Sequence, residues 1–482
     1  MIAILTDTGM LGDPGGEVID ARGRTVLPGF IDAHVHPGFG GLHKLRVWLN
    51  DASSKDEYLQ IISAAPGTGW VTGGGWHMTI FPGGTPRKED LDAIWPDRPV
   101  FLLNRDVHGA WVNSKALELA GIKATSPDPP HGRVERDPDG EPTGTLHEGA
   151  AYWVNDHVVP KPKQQDWEQA ILVGQQYLHS VGITGWQDAW VTPALQQAYI
   201  GLAESGRLTG RVVGALWWER HRGLEQIDEL VARRKQAATG FHPTTVKIML
   251  DGVLENYTGA LLEPYCGCGE QRGLNYIDPD LLNEAVTRLD GLGFQVHMHA
   301  IGDRAVRMGL DAVEAGGSAR NRHHIAHLQV VHPDDVARFG QLSVTANCQM
   351  LWASYDEQMR TLAMPLLGER VAWQYPFASL ARVTRLAAGS DWPVSSANPL
   401  EQIQVGLTRQ GIHDRREPLL PHERLDRASA FAAFTTGSAW LNRDPDPGYV
   451  ILGANLDDVA DHELSQVPID VTISGGRVVF ER

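Results

Sequence analysis

Eight short, nearly uniformly apolar segments alternate with helical patterns, and this feature most constrains the fold of the chain. Segments without polar alternation are typical of strands buried on both faces of a parallel sheet. They lie at residues 25–36, 182–189, 211–218, 244–252, 294–303, 323–330, 342–349 and 384–392. This alternation predicts an α/β fold, a (β/α)8 TIM barrel. A doubly wound open sheet is the alternative, disfavoured because no Gly-x-Gly-x-x-Gly motif follows the first segment.

Two parts of the chain lie outside this alternation. Residues 40–165 are too long for a βα connection and rich in Gly, Pro and Trp, which predicts an inserted subdomain or lid. The end segments 17–27 and 468–482 both have a strand–turn–strand pattern with Gly-Arg turns. We expect a small β-sandwich domain from residues 1–26 and 445–482, with two unrelated hairpins as the alternative. The barrel then comprises residues 27–39 and 166–444.

Composition and charge narrow the class of protein. Of 482 residues, 42% are hydrophobic and 21% charged, which excludes disorder for the bulk of the chain. The net charge is −17 and no basic run is present, which argues against nucleic-acid and anionic-membrane partners. No long uncharged apolar stretch or signal-like start appears, and Cys266, Cys268 and Cys348 are too sparse for a disulfide framework. We therefore expect a cytoplasmic protein with free thiols.

Histidines lie at the carboxyl ends of several predicted strands. His34 and His36 are two residues apart, so their imidazoles face the same side, just before Pro37 ends the strand. This end of a barrel carries the active site, and neutral imidazole is a good zinc ligand. A pair of hydrogen-bonded core histidines would be the structural alternative for this motif alone.

The same strand ends carry further candidate ligands. His297 and His299 end the fifth predicted strand, His327 ends the sixth and Asp391 the eighth. Lys247 lies inside the apolar fourth strand, where a buried charge is costly unless it is neutralised or paired. Chance placement explains this set poorly, so the sequence predicts a metal site.

These residues lie in stretches that resemble a known family. The stretches are LPGFIDAHVH (27–36), VKIMLDGVLENYTGALLEPY (246–265), HAIGDRAV (299–306), RHHIAHLQ (322–329) and GSDWPV (389–394), with further matches within the insertion. The chain resembles the amidohydrolase superfamily, specifically the YtcJ-like branch that includes N-substituted formamide deformylases. The resemblance spans essentially the whole chain. It implies a metal-dependent hydrolase with a barrel and a β-sandwich built from both termini.

The resemblance also implies roles for individual residues. The implied metal ligands are His34, His36, Lys247, His299, His327 and Asp391. The lysine would be N-carboxylated and bridge two metals; an ion pair with Asp391 in a one-metal site remains the alternative. Zinc is the expected ion, with other divalent metals possible. The chain departs from the family in the extra His297 and in the late position of Met1, because two more short strands usually precede segment 17–27. A truncated start or a smaller β-sandwich is therefore expected.

The expected reaction is hydrolysis of a C–N bond in an amide, formamide or cyclic amide. A metal-activated hydroxide would attack, with Asp391 as general acid/base and His299 as a second catalytic residue. Candidate substrate contacts are Trp76, His108, Tyr257, Trp352 and His297, and the many Trp residues favour a small apolar or aromatic substrate. Deamination, ester or lactone hydrolysis and a lyase step are alternatives, as is a scaffold without chemistry. Oligomeric state stays open, with a homodimer as one possibility.

Overall fold

A parallel sheet of eight strands forms the centre of the molecule in this computed structural model, which describes residues 2–6, 9–12, 17–413 and 415–482. The strands are Phe30–Val35, Ile183–Val191, Arg211–Trp217, Phe241–Met249, Gln295–Ala300, His324–His327, Thr345–Cys348 and Leu386–Ala388. Each pairs with the next in chain order. The first and eighth strands meet beyond their ends, where the Asp391 amide donates to the His34 carbonyl at 2.7 Å. The predicted TIM barrel is confirmed, and the open sheet is excluded.

Helices cover the outside of the barrel because their apolar faces pack on the buried strands. The longer ones are Pro37–Lys44, Gln164–Ser180, Pro193–Glu204, Ile227–Arg234, Pro279–Gly291, Asp303–Gly316, Pro333–Gln341 and Pro399–Thr408. Several begin with a proline after a capping side chain; Asp278, for example, accepts from the Asp280 and Leu281 amides. None of the helices in the described residues combines the length and apolarity that a membrane crossing requires.

The segment between the first two barrel strands folds around its own mixed six-stranded sheet. In spatial order the strands are Gly132–Arg136, Pro142–Glu148, Gly109–Val112, Val100–Asn104, Val71–Trp76 and Val47–Trp48. Helices Lys55–Ser63, Lys88–Asp92, Ser114–Ala120 and Gly149–His157 flank it. Two apolar clusters pack around this sheet, separate from the main barrel core.

Both chain ends contribute to a second β region, as expected. One sheet contains Ile2–Thr6, Gly9–Gly12 and Glu17–Asp20; the other contains Val26–Pro28, Tyr449–Leu452, Ile469–Ser474 and Arg477–Glu481. Ile4, Ala21, Ile451, Val471 and Ile473 form their shared apolar core.

Two expectations about the amino-terminal segment are wrong. Glu17–Asp20 and Val26–Pro28 do not form a hairpin, because each pairs within a different sheet. Two short strands, Ile2–Thr6 and Gly9–Gly12, precede segment 17–27, so the expected shortening of the β region is not observed. Apolar alternation over four residues signals a strand but does not identify its partner.

Helix Pro37–Lys44, at the start of the insertion, packs closely against helix Gln164–Ser180, which follows the insertion. A Cβ on Gly41, in helix Pro37–Lys44, would lie 1.9 Å from the Ala170 carbonyl oxygen, and one on Gly174 would lie 2.4 Å from the Pro37 carbonyl oxygen. The two backbones therefore approach closely only because both positions lack a side chain.

We predict that Gly41→Ala destabilises the fold by about 1–3 kcal/mol, because backbone atoms must move to admit the methyl group. Gly291→Ala is the matched control, since Gly291 is also helical but a Cβ there would meet nothing within 4 Å. Thermal unfolding should show a lower midpoint for the first variant and an unchanged or higher midpoint for the second. Equal midpoints would contradict the packing argument.

Candidate metal centre

His34, His36 and Asp391 converge where the barrel closes. The Asp391 Oδ1 atom lies 3.2 Å from His34 Nε2 and 3.0 Å from His36 Nε2. One ligand atom from each of the three lies within 4.8 Å of the others. Asp391 has a φ of 58°, which turns the chain sharply after the eighth strand and brings its carboxylate to the histidines. This is the cluster that the spacing of His34 and His36 predicted.

His299 and His327 extend the cluster along the strand ends. The His327 ring centroid lies 4.7 Å from that of His34 and 4.4 Å from that of His299. The His34 and His36 rings are 5.3 Å apart. The structure therefore places the predicted imidazole ligands and Asp391 in one continuous cluster.

Electrostatics favour neutral imidazoles in this cluster. Burial is the largest cause that lowers the pKa of His34, His299 and His327 well below the usual value. Nδ1 of His36 and Nδ1 of His327 are buried and have no hydrogen-bond partner among the described residues. Neutral imidazoles with unused lone pairs beside a carboxylate fit a divalent cation.

Lys247 lies at the base of the cluster. Its Nζ atom is 3.5 Å from His297 Nε2, and the side chain is 2% exposed. Burial lowers the pKa of Lys247 to about 7, and Asp391 partly opposes this shift. An amine with a pKa near 7 is partly uncharged at neutral pH, which lowers the cost of burying it.

Asp32 joins the two strands that carry the ligands, a role that the sequence analysis missed. Its Oδ1 atom accepts from the His34 and Ser390 amides, both at 3.0 Å. Burial raises the pKa of Asp32 to about 7. Its position two residues before His34 was the available signal, because that spacing places it on the inner side of the strand.

A buried His108–Glu148 pair from the insertion lies beside His299. His108 Nδ1 is 3.0 Å from both Glu148 carboxylate oxygens, and the His108 and His299 ring centroids are 5.8 Å apart. Burial is the largest single influence and opposes both charges, but mutual attraction and hydrogen bonding together outweigh it. The pKa of His108 rises to about 9 and that of Glu148 falls to about 2. Thr258 also donates to Glu148, at 2.8 Å.

A cavity of about 910 Å³ lies at the barrel mouth, between the insertion and the strand ends. Its aromatic lining residues are Trp48, Tyr177, Trp352, Tyr375 and Trp392. Trp352 stacks on His327 at a centroid distance of 5.0 Å and an interplanar angle of 4°. One indole therefore connects the cavity wall to the histidine cluster.

The predicted substrate contacts fall in different places. Trp352 lines the cavity, and His108 adjoins His299. Trp76 is buried in the insertion core, where its indole donates to the Leu102 carbonyl. His297 is fully buried beneath His34, and half-buried Tyr257 packs on Tyr265.

Of the predicted contacts, Trp76, His108, Tyr257 and His297 are not among the cavity-lining residues of the described chain, although His108 adjoins His299 in the cluster. The structure thus gives no support to the predicted substrate contact of Trp76, Tyr257 and His297. Trp48 and Trp392 do line the cavity and were missed. Trp392 directly follows Asp391 in the sequence, which was a usable signal.

Comparison with known proteins agrees with this geometry. The Amidohydrolase family model matches residues 17–480. The chain belongs to that family.

Three relatives match most of the chain. Protein LONG AFTER FAR-RED 3 of Arabidopsis thaliana is 32% identical, over 89% of this chain and 76% of that protein. Putative amidohydrolase YtcJ of Bacillus subtilis is 27% identical, over 98% and 92%. The N-substituted formamide deformylase of Arthrobacter pascens is 26% identical, over 97% and 91%. The predicted resemblance to this branch is confirmed.

A solved structure agrees as well. The uncharacterized metal-dependent hydrolase from Pyrococcus horikoshii superposes with a TM-score of 0.73, at 26% identity, over 93% of this chain and 89% of that one. The family is one of metal-dependent hydrolases, and the chain is a hydrolase of this class.

The His108–Glu148 pair leads to a prediction about pH. The pKa of His108 is raised to about 9, so the pair's stabilisation is full below the unfolded value near 6.5 and is lost as pH rises through 9. Glu148→Gln should cost about 3 kcal/mol near pH 6 and progressively less toward pH 9. Thermal unfolding of both proteins across this range measures the difference.

Glu135→Gln supplies the matched control. Glu135 also pairs with a histidine in the insertion, His147 at 3.0 Å, but its side chain is 28% exposed. Solvent screening should keep its cost below about 1 kcal/mol. A Glu148→Gln deficit that stays constant or grows toward pH 9 would contradict the assigned charges.

Proposed function

We propose that this hydrolase cleaves a C–N bond in an amide, formamide or cyclic amide of a small apolar or aromatic substrate. The proposal rests on one observation: a buried histidine–aspartate cluster adjoins an aromatic-lined cavity. The formamide deformylase among the relatives supports the choice of bond. The free Cys266, Cys268 and Cys348 support a cytoplasmic location, which we also propose.

The proposed cofactor is zinc, as one or two ions. The residues that would hold it are His34, His36, Lys247, His299, His327 and Asp391. A bound divalent cation supplies Lewis-acid polarisation and makes water acidic enough to react near neutral pH. Carboxylation of Lys247 would replace a costly buried amine with an anionic ligand.

In this proposal Asp391 transfers the proton, and the insertion excludes bulk water. Asp391 is the proposed proton carrier, because its carboxylate lies against two imidazoles and is 5% exposed. It would accept a proton from the attacking water and deliver it to the leaving nitrogen. His108 would contact a polar substrate group, and the insertion would cover the reacting atoms.

We predict that His36→Ala and Asp391→Asn each lower turnover at least about 100-fold while the fold persists. The control is His221→Ala, since the His221 side chain is 74% exposed and is not part of the cluster. Assays with zinc-loaded protein should use a panel of N-substituted formamides, cyclic amides, lactones and aminated heterocycles. Turnover confined to lactones or to aminated heterocycles would reject the C–N amide assignment, and full activity in either variant would reject the assigned roles.

The aromatic wall leads to a separate prediction. Trp352→Ala should raise KM for an aromatic substrate about tenfold, whereas Trp352→Phe should retain most of the affinity. Trp76→Phe is the matched control: because Trp76 lies in the insertion core, it should lower thermal stability and leave KM unchanged. A KM effect of Trp76→Phe larger than that of Trp352→Ala would reverse this assignment.

Lys247 carboxylation can be tested by mass. Intact-mass analysis under mild ionisation should show an adduct of about 44 Da that disappears in Lys247→Ala. Metal analysis of the same samples should give two ions per chain for the wild type. One ion and no adduct, with full activity, would favour the one-metal alternative.

A further inference from the structure

A chain of buried hydrogen bonds runs through the barrel interior to His34. Gln187 Nε2 donates to Gln295 Oε1 at 3.0 Å, and Gln187 Oε1 lies 2.7 Å from His297 Nδ1. His297 Nε2 in turn lies 2.9 Å from His34 Nδ1. All four side chains are buried. Of the four, the proposed reaction uses only His34.

The direction of this chain is set at its lower end. Gln295 Nε2 donates to the main-chain carbonyls of Arg322 and Leu441, at 2.8 and 3.2 Å. Carbonyl oxygens only accept, so the Gln295 amide cannot be turned over. Its Oε1 atom must therefore face Gln187 and accept from it.

The donor and acceptor roles of the remaining residues follow in order from Gln295 toward His34. Because Gln187 Nε2 faces Gln295 and Asn442 oxygens, its Oε1 faces His297, and His297 Nδ1 must donate. The other nitrogen of a neutral imidazole accepts, so His297 Nε2 accepts from His34 Nδ1. The free lone pair of His34 is left on Nε2, the atom 3.2 Å from Asp391 Oδ1.

A second series of hydrogen bonds, through Asn347 and His324, also requires Gln187 Oε1 to accept. Asn347 Nδ2 donates to the Ala33 carbonyl at 2.9 Å and lies 3.2 Å from His324 Nδ1, which therefore accepts. His324 Nε2 is then the donor to Gln187 Oε1, at 3.1 Å. Two independent backbone anchors thus require Gln187 Oε1 to be an acceptor.

We propose that Gln187 and His297 are positioning residues that fix the tautomer and ring orientation of His34, so that His34 binds the cation through Nε2. His297 is then neither a metal ligand nor a substrate contact. Its alternative partner, Lys247 Nζ, is farther away at 3.5 Å. The inference rests on the metal centre of the proposed function and is independent of which bond that centre cleaves.

Metal affinity tests the proposal. In a chelator competition with Zn²⁺, Gln187→Met and His297→Leu should bind about 10–100-fold more weakly than the wild type, with the same number of ions per chain. His297→Gln should stay within a few-fold, because its amide retains one donor and one acceptor. Gln175→Met is the control: it removes a buried amide bonded to Arg207 and Thr209, away from the cluster.

Two results would overturn the proposal. The first is unchanged affinity in both Gln187→Met and His297→Leu. The second is loss of one ion per chain in His297→Leu that His297→Gln does not restore, which would make His297 a ligand. These zinc affinities do not depend on which bond the protein cleaves. Failure of the proposed C–N hydrolysis can therefore be distinguished from failure of the positioning proposal.

Tautomers provide a second measurement that does not depend on metal affinity. In metal-free wild-type protein labelled with ¹⁵N-histidine, long-range ¹H–¹⁵N spectra should show Nδ1–H for His34 and His297, and Nε2–H for His324. His297→Gln, if folded, assigns the His297 signals by their loss. An Nε2–H tautomer at His34 would refute the proposal.

Discussion

The junction between the first and eighth strands is the constraint on which the rest of the structure depends. Main-chain bonds from Asp391 to His34 and from His36 to Trp392 close the barrel, and the Asp32 carboxylate adds a bond to Ser390. These bonds involve His34, His36 and Asp391, the three residues of the histidine–aspartate cluster. The bonds that close the barrel therefore also hold His34, His36 and Asp391 next to one another. A change that weakened the closure would disturb the cluster.

The barrel interior beneath this junction is polar where an apolar filling would be usual. Gln187, His297, His324 and Asn347 are buried and bonded to one another or to main-chain carbonyls. Buried polar groups that are fully paired favour one arrangement over others, because each alternative leaves a donor or acceptor unsatisfied. The interior thus limits how the His34 imidazole above it can turn.

Much of this arrangement was predictable from the sequence. The barrel strands were predictable because each is an apolar run of suitable length. The convergence of His34, His36 and Asp391 was predictable because all three lie at strand ends. The partners of Glu17–Asp20 were not, since pairing is set by packing between distant segments. Trp76 is predicted to contact substrate because a Trp that follows three glycines resembles a loop residue; the structure instead has it at the end of a buried strand. The polarity of the Gln187 network depends on carbonyls of distant residues and was outside what any local pattern indicates.

The stacking of Trp352 on His327 has a consequence for how this protein could diversify. The indole belongs to the connection after the seventh strand, Thr345–Cys348, the kind of segment in which barrel enzymes usually vary to accept new substrates. Here the same ring covers an imidazole of the histidine cluster. A substitution at Trp352 that reshapes the cavity wall would therefore also change the packing of His327, so these two surfaces cannot vary independently.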